Sequence, residues 1–183
     1  AASCGRIDTI CLLLDNGADI EGRDQYGKTA LQTALGSREN RLDAASCEHL
    51  EVVQLLLDHG VQPQMDTGAL PAAARCGSID IICLLLDNGA DIEGRGQYGE
   101  TALQAAFSSW EGRSDVIQLL LDCGAQLQTD ARTLLAAACG GSPDNVRFLI
   151  DHGADIEGHD QFGQTALQMA SSCGHLEVVQ LLL

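Results

Sequence analysis

The amino-acid sequence predicts an all-α repeat solenoid, in which helix-turn-helix layers stack along one axis and β-hairpin or loop fingers project from them. The first observation is self-similarity, because the string LLLDNGADIEG occurs at 12–22 and again at 84–94, and a related string, FLIDHGADIEG, fills 148–158. The second is that aromatic residues make up only 3% of the chain, so the core must be aliphatic. One such unit cannot bury its apolar face alone, which makes stacking obligatory.

A recurring glycine measures the period of the repeat. It follows each apolar run, and successive copies are separated by 43, 29, 35 and 29 residues, at Gly17, Gly60, Gly89, Gly124 and Gly153. From this glycine to the leucine of the next helix the chain takes 14 residues in three units and 10 in the other two, so long and short fingers alternate. An insertion of 10 residues, near 36–45, lengthens one unit, and we expect local fraying there.

A second motif begins two residues after each of the three strings given above. It reads DQYGKTALQ at 24–32, GQYGETALQ at 96–104 and DQFGQTALQ at 160–168. These residues resemble the ankyrin repeat signature D-x-x-G-x-T-P-L-H-x-A, with Ala in place of Pro and Gln in place of His. The resemblance covers the whole chain and implies ankyrin-type layers with a period of about 33 residues. Thr29 is suited to cap the first helix of its unit. At the family's His position we expect a structural brace from Gln32, Gln104 and Gln168.

The repeat divides the chain into six predicted units. Partial repeats lie at both ends, the second unit carries the insertion, and short-finger units alternate with longer ones. The predicted boundaries are 1–22, 23–63, 64–93, 94–128, 129–157 and 158–183.

Charge and hydropathy exclude several function classes. The formal net charge is −16 and the sequence pI is about 4.3, whereas nucleic acids and anionic membranes both reward clusters of Lys and Arg. No apolar run approaches the ~20 residues of a membrane span. We therefore expect a monomer that binds a protein with a basic or neutral surface, and neither nucleic acid nor membrane. We also expect an intracellular location, in the cytoplasm or nucleus, where a reducing compartment would keep the cysteines as thiols.

The pattern of titratable residues predicts no enzyme. No histidine has a Ser, Cys or carboxylate partner at a spacing typical of a nucleophile and its base, and no phosphate-binding or metalloprotease motif is present. We predict no catalytic residue, cofactor or metal. The eight cysteines include no C-x2-C pair, and several recur at matched repeat positions. We interpret them as small apolar residues of the repeat; a redox or metal role is the alternative.

The candidate partner-binding residues lie on the long fingers and beside the first helices. Tyr26, Tyr98 and Phe162 recur at one finger position, and aromatic side chains on a polar protruding loop are common interface anchors. The alternative is that each ring packs against the next finger and stiffens it. Partners of ankyrin arrays usually dock on the fingers and on the inner face of the first helices, which implies a wider set of candidates. Its further members are Gln25, Gln97, Gln161, Arg23, Arg95, His159, Thr33, Ala105, Met169 and Trp110.

Two columns of equivalent acidic and amide residues also cross the layers. They contain Asp19, Gln62, Asp91, Gln126 and Asp155, and then Glu21, Gln64, Glu93, Gln128 and Glu157. We interpret them as a solvated acidic edge, with a docking strip for a basic partner as the alternative.

The function that the sequence favours is a protein–protein interaction module. The alternative function is a regulatory or sensing segment of a larger signalling protein whose catalytic domain lies outside this chain.

Overall fold

A computed structural model describes residues 7–35, 45–96, 98–109 and 113–183, with the backbone alone for 45–49. The predicted insertion at 36–45 lies outside the described residues, except that a helix begins at Ala45. The candidate residues Gln97 and Trp110 also lie outside them.

Within these ranges the chain is helical and contains no strand. Most helices are short, between 6 and 10 residues, as a repeat period near 33 residues requires. The helices are α1 Ile7–Asp15, α2 Ala30–Leu35, α3 Ala45–Asp58, α4 Ala69–Cys76, α5 Ile79–Asp87, α6 Ala102–Phe107, α7 Ser114–Asp122, α8 Ala131–Gly140, α9 Pro143–Asp151, α10 Ala166–Cys173 and α11 Leu176–Leu182.

The helices stack in two rows, as the repeat predicts. The first-helix row consists of α2, α4, α6, α8 and α10, each of which packs against the next member of the row. The second-helix row consists of α1, α3, α5, α7, α9 and α11. Every helix of the first row also packs against the helix that follows it in the chain. Among the described residues, two helices fall in each predicted unit after the first. The boundaries between units stay a prediction, because the stack is continuous.

One aliphatic core runs between the two rows. In α5, for example, Ile81, Ile82 and Leu85 are buried because they share one face of the helix. The first helices contribute small side chains, such as Ala73 and Ala74 of α4, which are fully buried. Small residues allow neighbouring backbones to approach closely, so the first-helix row packs tightly along its length.

The glycine that marks the period follows five of the second helices, α1, α3, α5, α7 and α9, and is in the left-handed conformation at each. At Gly153 φ is 90°, and the amides of Gly153 and Ala154 donate to the carbonyls of Ile150 and Leu149. These bonds satisfy carbonyl groups that the end of α9 would otherwise leave without a partner. The glycine therefore both ends the helix and turns the chain toward the next finger.

Replacing Gly153 with alanine is expected to lower the free energy of unfolding by about 1–2 kcal/mol. A Cβ atom at this position meets nothing within 4 Å, so the cost comes from the left-handed backbone rather than from a clash. Asparagine tolerates this conformation better, so Gly153→Asn is the matched control and should cost less. Guanidinium denaturation measures both changes, and equal losses for the two variants would contradict the explanation.

Candidate protein-binding surface

Three long fingers, residues 23–28, 95–100 and 159–164, share one pattern of backbone hydrogen bonds in their described residues. In each, the amide of the second residue donates to the carbonyl of the sixth, over 2.9, 2.8 and 3.1 Å respectively. The fifth residue is a glycine with φ near 75°, and its amide donates back to the second residue. Of the two forms expected for the fingers, hairpin or loop, these are loops built of turns. Their backbones are closed without help from a partner.

A carboxylate inside each finger fixes the aromatic position. Asp24 Oδ1 accepts the amides of Tyr26 and Lys28, over 2.8 and 2.9 Å. Asp160 makes the same pair of bonds in the third finger, at the same two distances. The second finger has a glycine at this position, and Glu100 Oε2 accepts the Tyr98 amide instead, over 3.0 Å. The backbone carrying the ring is therefore held in all three fingers, by two different acidic positions.

The arginines that flank the fingers brace them from the side. Arg23 Nη1 donates to the carbonyl of Gly27 over 2.8 Å, and Arg95 Nη1 donates to that of Gly99 over 2.9 Å. His159 holds the corresponding place in the third finger and is exposed. Both arginine side chains are also exposed, so one edge of each guanidinium supports its finger while surface remains open to a partner.

The aromatic side chains project into solvent. Tyr26, Tyr98 and Phe162 are 75%, 67% and 76% exposed, and their neighbours Gln25 and Gln161 are exposed as well. A ring packed against the following finger would lose most of its exposed area, so these rings retain a large surface for an external contact.

The second finger is held between the units on either side of it. The guanidinium of Arg75, on α4, lies 5.9 Å from the centroid of the Tyr98 ring and forms an ion pair of 2.6 Å with Glu100. Arg132, on α8, donates to the Tyr98 carbonyl. These residues and Gln104 line a surface cavity of about 190 Å³ beside the first-helix row. Arg75 and Arg132 were missed by the sequence reasoning, because nothing in their local sequence places them at a finger.

A second cavity of about 200 Å³ lies between the first finger and its neighbours. Its lining includes Tyr26 and both bracing arginines, Arg23 and Arg95, together with Met65 from the intervening short finger. Met65 is 70% exposed. An apolar side chain in a polar loop was the signal that identified Tyr26, and the same signal would have identified Met65.

The three candidates on the first helices differ in accessibility. Met169 and Thr33 are half-buried, and the Thr33 hydroxyl donates to the carbonyl of Thr29 over 2.8 Å. Ala105 is only 1% exposed, because α6 is packed between α4 and α8. A partner therefore has no access to the Ala105 side chain in the folded array, and we drop this residue from the candidate surface.

Two of the three glutamines at the family's His position, Gln32 and Gln104, join neighbouring units. Gln32 takes part in a capping interaction with Thr29, whose Oγ1 accepts the Gln32 amide over 3.1 Å, and Gln32 Nε2 donates to Asp66 Oδ1 over 2.6 Å. Gln104 Nε2 donates to Thr133 Oγ1 in the next unit over 3.0 Å. The predicted structural role of these two glutamines, and the capping role of Thr29, are confirmed.

The acidic columns make internal bonds. Glu21 Oε1 accepts the amide of Gln62 over 3.2 Å, and Glu93 Oε1 accepts that of Gln126 over 2.8 Å, so each glutamate bonds to the unit that follows. The aspartates accept the amide two residues further along, at Asp19, Asp91 and Asp155. This edge therefore contributes to the stack, which favours the structural interpretation over a docking strip.

Two further findings concern the described part of the chain. It contains no group of three or more His, Cys, Asp or Glu side chains placed to hold a metal ion. None of its helices combines the length and apolar character needed to cross a membrane.

Comparisons with known proteins agree with the geometry. A family profile described as "Ankyrin repeats (3 copies)" matches residues 42–131 and 126–183. The chain is 35% identical over 184 residues to a transient receptor potential cation channel subfamily A member 1 homolog from Caenorhabditis elegans, covering 98% of this chain and 14% of that protein. It is 33% identical to an ankyrin repeat domain-containing protein, SAT10, from Stachybotrys chartarum, covering 100% and 9%. An L-asparaginase from Dirofilaria immitis is 29% identical, covering 100% and 25%. The chain thus spans a quarter or less of the length of each of these relatives.

Proposed function

Because this chain belongs to the ankyrin repeat family, we propose that it is a protein–protein interaction module that presents its long fingers and the adjoining first-helix row to a protein partner. Ankyrin repeats generally bind proteins rather than catalyse reactions. The observation that supports this surface is the set of three exposed aromatic rings, each on an internally braced finger. A braced loop loses little conformational entropy on binding, so more of the contact energy appears as affinity.

The chemistry of the surface suggests what the partner offers. The net charge of −16 favours a basic or neutral partner during encounter. At close range the fingers combine Tyr and Phe with Arg23 and Arg95, and aromatic and arginine side chains dominate binding hot spots. We therefore propose a neutral or basic partner with apolar pockets for the three rings and a local carbonyl or carboxylate for the arginines. We further propose that the module acts as a monomer in the cytoplasm or nucleus and contains no catalytic site.

The test compares a finger variant with a matched control. Tyr26→Ala, Tyr98→Ala and Phe162→Ala together remove the exposed rings, which should reduce partner retention at least about tenfold, the effect of a loss near 1.4 kcal/mol. The control replaces three exposed apolar residues of the second-helix row, in the triple variant Leu12→Ala, Ile79→Ala and Leu176→Ala. Each chain is immobilised and the retained proteins are quantified by mass spectrometry.

Two results decide the outcome. A partner kept by the control and lost by the finger variant supports the proposal, provided that circular dichroism finds both variants folded. Retention of every partner by the finger variant, at the level of the unmodified chain, would remove the fingers from the binding surface.

The second candidate function is a regulatory or sensing segment of a larger protein. The observation that favours it is that the relatives are long, and that the one from Caenorhabditis elegans is named as a cation channel homolog. Sequencing the complete reading frame that encodes this chain tests it. A channel, nucleotide-binding or kinase domain in the same reading frame would support a regulatory role, and a reading frame encoding only repeats would exclude it.

A further inference from the structure

Two cysteines on the neighbouring first helices α8 and α10 lie close to one another. Cys139 is the penultimate residue of α8, and Cys173 is the last residue of α10. Their sulfur atoms are 3.7 Å apart, both residues are exposed, and neither forms a disulfide. The two helices pack against one another, so the pair joins residues that are 34 apart in sequence.

The surroundings hold this pair in place. His175, at the start of α11, forms a hydrogen bond of 2.8 Å between its Nε2 and the Cys139 carbonyl. Its ring also lies over Gly141, where an added Cβ would come within 2.4 Å of the imidazole. The end of α8 is therefore hydrogen-bonded to the start of α11. The backbone beside the two exposed thiols is held in place by this contact.

We propose that Cys139 and Cys173 form a reversible dithiol–disulfide site that, on oxidation, covalently links the last two repeats. A disulfide requires a sulfur–sulfur distance of about 2.05 Å. The Cys173 thiol already donates to Cys139 Sγ across 3.7 Å, so the two sulfur atoms have to approach by less than about 2 Å. The linked pair would add a covalent bond to the interface at which α8 and α10 pack against one another.

The oxidant we propose is a low-molecular-weight disulfide such as oxidised glutathione. The Cys173 thiolate attacks one glutathione sulfur, which breaks the glutathione disulfide and releases one glutathione thiolate. Cys139 then loses its proton and attacks Cys173 Sγ, which breaks the mixed disulfide and releases the second glutathione thiolate. Both released thiolates take up protons, so the protein loses two electrons and two hydrogens, and one oxidised glutathione becomes two reduced molecules.

The environment favours Cys173 as the first nucleophile. Burial raises the pKa of Cys139, and the neighbouring Cys173 raises it further. Because the thiolate is the reactive form, the raised pKa slows attack by Cys139 on an external disulfide. It is nevertheless well placed to resolve a mixed disulfide on Cys173, since that step is intramolecular.

The chain offers a matched control at the same repeat position as Cys173. Cys76 also ends a first helix, α4, and its sulfur donates to the Leu35 carbonyl over 3.3 Å. The proposal is specific to one link, between Cys173 and Cys139, so removing the Cys76 thiol should not change the amount of that link.

The experiment incubates the full chain with mixtures of reduced and oxidised glutathione, and quenches it with an alkylating agent. Trypsin cleaves after Arg132 and Arg147, so Cys139 and Cys173 fall in different peptides, 133–147 and 148–183. Non-reducing mass spectrometry should find these two peptides linked, and a reductant should separate them.

Cys76→Ser should leave the link unchanged, while Cys139→Ser should leave Cys173 as a mixed glutathione disulfide. In the oxidised chain, amide exchange in α8 and α10 should slow on the order of tenfold.

Clear results would overturn the proposal. One is the absence of the 133–147 to 148–183 link under conditions that modify Cys123, a lone exposed cysteine. Another is a link from Cys173 to several other cysteines in equal amounts. Modification of Cys139 but not Cys173 would overturn the assigned order of attack. None of these results depends on whether the fingers bind a partner.

Discussion

Replacing Phe107 with alanine is expected to lower the free energy of unfolding by about 3–5 kcal/mol. Phe107 ends α6 and is fully buried, and its ring centroid lies 5.9 Å from that of Phe148 on α9. In a chain that is only 3% aromatic, Phe107 is the largest fully buried side chain of the described residues. Truncation leaves a cavity and removes an aromatic contact between two successive units.

The same chain supplies the control, because Phe162 is 76% exposed at the tip of the third finger. Phe162→Ala removes the same atoms but should change the free energy of unfolding by no more than about 0.5 kcal/mol. Guanidinium denaturation followed by far-ultraviolet circular dichroism measures both. We also expect Phe107→Ala to broaden the transition, since repeat arrays depend on nearest-neighbour interfaces. Similar losses for the two variants would mean that Phe107 is not an essential part of the core.

Replacing Asp66 with alanine is expected to lower the free energy of unfolding by about 2–3 kcal/mol. Asp66 is only 2% exposed, and its carboxylate accepts the Thr29 hydroxyl and the Gln32 side-chain amide from the preceding unit. Without the carboxylate, two donors at the interface between units lose their acceptor. Hydrogen bonds to a charged group are among the stronger ones, and a buried donor left without a partner bears its full desolvation cost.

Asp130 is the matched control for Asp66. It lies at the same distance before the first-helix leucine, but it is exposed, and its Oδ1 accepts the amide and hydroxyl of Thr133 in its own unit. Asp130→Ala removes an N-terminal helix cap, which typically costs ~1 kcal/mol. Chemical denaturation of the two variants side by side gives the comparison. If Asp130→Ala cost as much as Asp66→Ala, the bonds between units would not be the source of the effect.

Much of this architecture was predictable because it repeats. The strings around Gly17, Gly89 and Gly153 identified the period, and the T-A-L-Q motif identified the start of each first helix. A pattern repeated three times is difficult to produce by chance, so the fold class and the family did not depend on any single residue. The repeat predicted Thr29 as a cap for the same reason.

Features that break the repeat were not predictable. Arg75, Met65 and Arg132 have no counterparts at equivalent positions, so no periodic argument selects them as neighbours of the fingers. Ala105 was selected by its position in the motif and proved to be buried. Its exposure depends on how closely α4 and α8 approach α6, which is a property of packing between units.

The sequence by itself determined the all-α solenoid, the alternation of long and short fingers, and the position of one aromatic residue on each long finger. These are local properties, set by glycine conformation, helix capping and apolar periodicity within a unit. Only the tertiary structure decided how units bond to one another: Glu21 and Glu93 to the following backbone, Gln32 to Asp66, and Cys139 opposite Cys173. Those pairs lie between 33 and 41 residues apart, so only stacking brings them together.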